Sequence, residues 1–226
     1  MLRDSNLKFM VHNRLRGFTQ VPLPRETEEY RQAAVAMVIV DEGFGAGVPG
    51  LRGTLSWSSR ASLLLTRRPK TMRRHAGQWA LPGGRLDGSE THVQAALREL
   101  HEEVGLHLGS AAVMGRLDDF ATRSGFVMTP LVLWGGAARR LTPQPEEVAS
   151  IHRIPLAELL RDDAPILRPS DAPADESTGA PMLRMPIGDD YIAAPTAALL
   201  YQFRELCLLG QKTRVAHYEQ PYFAWR

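Results

Sequence analysis

The chain contains a single cysteine, Cys207, among 226 residues. One thiol excludes an internal disulfide framework and fits a reducing compartment. Its surroundings, Leu206-Cys-Leu-Leu209, are apolar and predict a core thiol rather than a nucleophile. No stretch approaches the ~20 apolar residues of a membrane span. The N-terminus alternates charged and apolar groups too closely for a secretory signal. Nor is charge of one sign in excess: a net charge of +2 supplies no global field for nucleic acid or for a membrane surface. These absences predict a cytoplasmic protein with no nucleic-acid or membrane partner, in which basic residues matter only where they cluster. Internal repeats and low-complexity tracts are absent too, and the length suits one domain with a substantial core.

What is present concentrates in residues 83–106, Gly-Gly-Arg-Leu-Asp-Gly-Ser-Glu-Thr-His-Val-Gln-Ala-Ala-Leu-Arg-Glu-Leu-His-Glu-Glu-Val-Gly-Leu. Val93, Ala96, Leu97, Leu100 and Val104 recur every three or four positions, the period of an amphipathic helix. Thr91 with Gln94 has the pattern of a capping box, and Gly105 suits a left-handed terminator. At ~100° per residue, Glu99, Glu102 and Glu103 fall roughly 90–170° away from the apolar stripe. Carboxylates crowded on one side of a turn repel each other by roughly 0.2–0.5 kcal/mol per neighbouring pair. A helix that needed only solubility would mix in lysine. The set suits a hard divalent cation, Mg²⁺ or Mn²⁺, with a merely solvated acidic face as the bland alternative.

Just ahead of this helix, residues 64–84 carry Arg67, Arg68, Lys70, Arg73, Arg74 and His75. Fixed positive charges so close together repel unless an anion sits among them, and the planar arginine fork suits phosphate. Elsewhere, a short amphipathic segment around Leu7–Leu15 precedes a Pro- and Glu-rich stretch. Ala33–Val40 and Ala61–Thr66 read as buried strands, separated by a Gly-rich loop or loose hairpin over Asp41–Ser59. Ala111–Phe120 and Gly125–Trp134 read as further strands, Leu156–Leu160 as a short helix, and Met182–Ile187 as a strand. Residues 161–180, rich in Asp, Pro and Ala, form an exposed segment able to cover the site. Tyr191–Leu209 reads as a helix with Pro195 near its first turn. The aromatic tail, with Tyr218, Tyr222, Phe223 and Trp225, would dock on this subunit or on a partner.

Gly84, five residues, Glu90, seven residues, then Arg98-Glu99-Leu100-His101-Glu102-Glu103-Val104-Gly105-Leu106 matches the signature of the Nudix hydrolases at every fixed position. The resemblance implies an α/β fold, an α/β/α sandwich with a mixed central sheet. It also implies Mg²⁺- or Mn²⁺-dependent hydrolysis of a nucleoside diphosphate linked to another moiety. In that reading Glu99 and Glu103 are metal ligands, Glu102 is a further ligand or a water-mediated contact, and Arg98 orients the carboxylates. The Gly83–Gly84 backbone approaches the metal because no Cβ obstructs it. An acidic residue from a later loop, best matched by Glu147, is also expected near the metals. The general base stays open among Glu102, Glu103 and Glu147.

More narrowly, Leu64, Leu65, Thr66, Arg68, Arg73, Gly77, Pro82, Gly83 and Gly84, with the run His75-Ala-Gly-Gln78, resemble the accessory motif of the coenzyme A pyrophosphatases. Pro69 and Leu81 depart from that motif. The run Tyr191–Tyr201 resembles the closing segment of the same group. The implied substrate is coenzyme A or an acyl derivative, cleaved to 3′,5′-ADP and 4′-phosphopantetheine, with Arg68, Arg73, His75, Gly77 and Gln78 on the nucleotide. Trp79 would stack on adenine or else lie in the core. ADP-ribose, NADH or another nucleoside diphosphate derivative is the alternative substrate, and a non-catalytic nucleotide sensor the alternative class. The expected organisation is an N-terminal extension over residues 1–30, the hydrolase domain over 31–210 and a tail over 211–226, in a monomer or a homodimer.

Overall fold

In the computed structural model, which describes residues 1–72, 75–173 and 177–222, the elements run in chain order from α1 (Ser5–Arg16). There follow β1 (Arg31–Gly43), β2 (Ser58–Arg67), β3 (Trp79–Ala80), β4 (Gly83–Arg85) and α2 (His92–Val104). Then come β5 (Val113–Arg116), β6 (Phe120–Thr122), β7 (Phe126–Gly136) and β8 (Ser150–Pro155). The chain closes with β9 (Ile166–Arg168), β10 (Met182–Ile187), β11 (Asp190–Ala193) and α3 (Thr196–Phe203), which runs on as a π-helical turn over Arg204–Leu209.

Strand β1 is the centre of the main sheet. It lies antiparallel to β2 and β4 and parallel to β7. Strand β2 also holds β3 and β8, and β7 holds β5 and β6. The near-continuous apolar run of β1 is needed because both faces are covered. Val35, Met37 and Ile39 enter the core shared with α1 and α3, whereas Ala34, Ala36, Val38 and Val40 enter the core under α2. The result is the expected α/β/α sandwich with a mixed central sheet. Strands β9, β10 and β11 form a second, antiparallel sheet. No helix among the described residues is long and apolar enough to cross a membrane.

Several elements differ from the sequence expectation, each for a physical reason. Strands β1 and β2 extend into the expected Gly-rich loop because Asp41 and Glu42 are buried with partners. Asp41 takes Arg3 and the Trp57 indole N–H, and Glu42 takes Arg60 and the Ser58 hydroxyl. The strand expected over Ala111–Phe120 splits into β5 and β6. Between them Asp118 turns inward, accepting from Val21 N–H, Gln202 Nε2 and Arg214. The helix expected to start at Tyr191 starts at Thr196 instead. Residues 190–193 pair with β10, and Pro195, which lacks an N–H, marks where the helix begins. Leu156–Leu160 ends in a single 3₁₀ turn at Glu158–Leu160. Within the segment 161–180, β9 pairs with β10, while residues 174–176 lie outside the described residues.

Both ends pack on this same chain. Leu7, Val11 and Leu15 of α1 are buried in the main core. In the tail Val215 is buried, Arg214 pairs with Asp118, and Glu219 accepts from Arg123, Ser177 and Thr178. Phe223 and Trp225 lie outside the described residues. The Leu15 side chain sits so close to β5 that a Cβ at Gly115 would come within 2.9 Å of it. Leu15→Ala is expected to destabilise the protein by about 2–4 kcal/mol, measured as the shift in a urea unfolding midpoint. A loss below about 1 kcal/mol would mean that α1 contributes no core.

Candidate active site

Helix α2 is capped as its sequence dictates. The Thr91 side chain accepts from Gln94 N–H, the Gln94 side chain accepts from Thr91 N–H, and Gly105 closes the helix at φ 68°. Ala95, Ala96, Leu100 and Val104 are buried against the sheet, with Val93 and Leu97 packed beside them. This seating turns Glu99 and Glu103 inward towards β4, so the acidic residues do not form one solvated face. Glu103 is buried, Glu99 half-buried and Glu102 exposed.

The contact with β4 is close. Gly83 N–H donates to Glu103 Oε2 at 3.2 Å. A Cβ on Gly84 would lie 2.2 Å from Glu99 Oε1, so only glycine admits the carboxylate there. Arg98 is held from the far side: Nε and Nη2 donate to the two oxygens of Glu90 at 2.8 and 3.0 Å. Its Nη1 donates to Glu99 and to Glu102, each at 2.9 Å. The Arg98 fork drops the Glu90 carboxyl to a pKa of about 2. Glu90, a fixed position of the signature to which the sequence reading gave no role, is thus the anchor of the arginine that aims Glu99.

A third carboxylate arrives from the loop after β7. The α2 carbonyls of Glu103 and Val104, orphaned at the helix end, accept from Gln144 and Thr142 N–H at 2.9 and 3.0 Å. Val148 is buried, and Ala149 N–H donates to Arg67 O. Between these fixed points Glu147 stands with a carboxylate oxygen in a cluster with those of Glu99 and Glu103, all within 4.8 Å of one another. Glu102 lies outside this trio, and its carboxylate accepts from Arg98.

Burial pushes the Glu103 carboxyl up to about 8, with Glu99 and Glu147 adding to the rise and Gly83 N–H and Arg68 opposing it. Burial raises Glu99 as well, against the pull of Arg98. A buried carboxylate with one backbone donor and two like-charged neighbours fits a hard cation, and the all-oxygen donor set suits Mg²⁺ or Mn²⁺.

The basic segment closes as a hairpin. Arg68 N–H donates to Gln78 O, and the Pro69 carbonyl accepts from Met72 and Gly77 N–H. His75 and Gly77 take positive φ, 57° and 68°. Arg73, expected on the substrate, lies outside the described residues. Arg67 is committed: it pairs with Asp190, donates to Gly77 O and lies 4.2 Å over the Trp79 ring. Trp79 is buried, donates its indole N–H to Asp190, carries Arg67 over one ring face and contributes to the cleft wall. Arg68 has a buried Nε with no hydrogen-bond partner. It faces a cleft of about 300 Å³ lined also by Arg67, Lys70, Gly77, Trp79, Val48, Pro49, Ser150 and His152. Gln78 lines a neighbouring cleft of about 200 Å³ with Asp190 and Tyr191. Asp190, Ser150 and His152 carried no sequence signal, because the groups that give them a place at the cleft, Arg67, Trp79 and the Ala46 carbonyl, are brought to them only by the fold.

The family profile of the NUDIX domain matches residues 52–173. The chain belongs to the NUDIX domain family. It is similar to the uncharacterized Nudix hydrolase NudL of Citrobacter koseri, 37% identical over 137 residues, covering 60% of this chain and 63% of that one. The protein of the same name from Yersinia enterocolitica is 43% identical over 103 residues, 44% of this chain and 52% of that one. The chain thus spans between about half and two-thirds of the length of these relatives. A solved MutT/nudix family protein from Enterococcus faecalis aligns with a TM-score of 0.46 at 15% identity, over 77% of this chain and 54% of that one. The matched NUDIX residues include the hairpin, β4, α2 and the Glu147 loop, but not β1, which carries the sheet partner of Gly83–Gly84.

Because the folded-state pKa of Glu103 is raised, folding of the metal-free protein takes up a proton. The contribution of Glu103 to stability is greatest below about 4.5 and falls as pH rises towards 8. Glu103→Gln should therefore raise the melting temperature of the metal-free protein at pH 8 by at least about 2–4 °C, the shift given by about 1 kcal/mol in a chain of this size. It should also abolish the stabilisation by added Mg²⁺. Melting curves in chelator and in Mg²⁺ check both, and an unchanged Mg²⁺ response would remove Glu103 from the metal site.

Proposed function

We propose that the protein hydrolyses the diphosphate linkage of a nucleoside diphosphate derivative, and that coenzyme A or its thioester is the substrate. The observation that carries this reading is the Glu99–Glu103–Glu147 cluster at the Gly83–Gly84 backbone, electrostatically coupled through Arg68 to a cationic cleft. Glu99, Glu103 and Glu147 would hold Mg²⁺ or Mn²⁺, with Glu102 a further contact and the Gly84 backbone beside them. Such an ion neutralises the diphosphate oxygens and lowers the pKa of a bound water.

The chain's own residues do the rest. Gly84 leaves room for Glu99, and Arg98 keeps the Glu99 carboxylate in a single orientation through a guanidinium that Glu90 clamps. Arg68 lines the cleft and acts electrostatically on Glu103, so one guanidinium would link the reacting phosphates to the nucleotide. Lys70 and His75, with Arg73 of the same basic stretch of sequence, would add charge for a phosphate beyond the scissile pair, such as the 3′-phosphate of coenzyme A. Water adds to one phosphorus while the bridging P–O bond breaks, and a carboxylate of the cluster takes the proton. The products would be 3′,5′-ADP and 4′-phosphopantetheine or its acylated form.

Turnover of coenzyme A, 3′-dephospho-coenzyme A, ADP-ribose and NADH in Mg²⁺, with product identification, tests the reading. Removal of the 3′-phosphate should lower kcat/KM at least about tenfold, the worth of one charge-assisted contact. Equal turnover would remove the 3′-phosphate from the basic hairpin, and no turnover of any substrate would favour a sensor. Gly84→Ala displaces Glu99 without touching the core, so kcat should fall about 10²-fold or more while the melting temperature stays within a few degrees. Retained activity would mean that the Gly84–Glu99 approach is not used.

A further inference from the structure

The cationic cleft contains a hydrogen-bond chain that hydrolysis does not use. Ser150 Oγ lies 2.7 Å from His152 Nε2, and His152 Nδ1 lies 2.8 Å from the Ala46 carbonyl. A carbonyl oxygen only accepts, so Nδ1 carries the proton. Burial and the nearby Arg67 both lower the His152 pKa, against the pull of Ala46, so the imidazole is neutral near pH 7. A neutral ring protonated on Nδ1 leaves Nε2 an acceptor, and the Ser150 hydroxyl must donate to it. Ser150 then offers the cleft only its lone pairs.

Ser150 and His152 lie two residues apart on β8 and so share one face of the strand. Both line the cleft, with Ser150 in register opposite Arg67 of β2. The rest of the wall divides by chemistry. Val48, Pro49 and the edge-on aromatic pair Trp79–His152 supply apolar and ring surface, while Arg67, Arg68 and Lys70 make it cationic. A phosphate joined to a planar heterocycle matches that division.

We infer that Ser150 is a specificity-determining residue for the nucleobase. Its hydroxyl, held as an acceptor by His152 and Ala46, selects a ring that carries an exocyclic amino group over one with a carbonyl at the same place. His152 is the positioning residue. An amino group supplies the missing donor, whereas a carbonyl would face lone pairs with nothing between them. The inference rests on the reading above only in taking the cleft as the nucleotide half of the site.

Equilibrium binding of 5′-AMP and 5′-IMP, measured by calorimetry, compares a 6-amino base with a 6-oxo base, which also exchanges the N1 acceptor for an N–H donor, and the Ser150 variants assign the difference to this hydroxyl. The intact protein should bind 5′-AMP about tenfold more tightly, the size of one hydrogen bond made against one opposed. Ser150→Ala should erase the difference by weakening 5′-AMP, and Ser150→Thr, which keeps the hydroxyl on a strand, should preserve it. Equal binding in the intact protein, a preference that survives Ser150→Ala, or no binding of either nucleotide would overturn the inference. Hydrolysis of coenzyme A in Mg²⁺, assayed in parallel, separates the two readings. Turnover without a base preference removes only the Ser150 assignment, and a base preference without turnover removes only the hydrolytic one.

Discussion

Glu99 and Glu103 pressed against a glycine backbone are the constraint on which the rest of this molecule depends. Glu99 enters a contact that no side chain larger than hydrogen would admit at Gly84, Glu103 takes the Gly83 N–H, and a third carboxylate, Glu147, completes the group from another loop. Left alone, such a cluster pushes itself apart. It is held by packing: Leu100 and Val104 are fully buried beneath it, each worth about 1.5–3 kcal/mol. The larger opposing cost is desolvation, which pushes the Glu103 carboxyl up to about 8, beside a like-charge repulsion that on a solvated helix is only roughly 0.2–0.5 kcal/mol. The apolar side of α2 can therefore keep the acidic side strained and ready for a cation, and Arg98 with Glu90 fixes the direction in which Glu99 points.

The cleft beside this cluster is built across the two sheets. Pro49 O accepts from Asp189 N–H in the turn between β10 and β11, and Gly188 and Gly50 have no room for a Cβ against that contact. From the other side, His152 on β8 grips the same loop through the Ala46 carbonyl. One residue beyond Asp189, Asp190 takes Arg67 and the Trp79 indole. Charge that the sequence presents as a single cationic run is thereby divided: Arg67 becomes part of the wall, while Arg68 and Lys70 face the space within it.

Periodicity made α2 and the buried strands legible, because one helix face or a doubly covered strand imposes a local repeat on the residues themselves. The Thr91–Gln94 box and Gly105 were equally legible, since capping is settled within a few residues. Misread elements were those whose fate hangs on distant partners. Asp41 and Glu42 look like loop residues until Arg3, Trp57 and Arg60 are placed around them. Residues 190–193 look helical until β10 lies alongside. Asp118 breaks a strand because Gln202 and Arg214, far along the chain, reach it.

The site divides the same way. By itself the sequence determined that carboxylates cluster on α2, that glycines precede it and that a basic hairpin leads into it, because those features are contiguous and carry their own spacing. The resemblance pointed to Glu147 as the acidic residue from a later loop; only the tertiary structure decided how it meets Glu99 and Glu103 while Glu102 turns to Arg98, that Arg67 is spent on Asp190, and that Ser150 and His152 face the cleft. These outcomes depend on which strand lies beside which and on which helix end caps which loop. Such long-range contacts are set by the summed burial of the whole core, and no local run of residues encodes them.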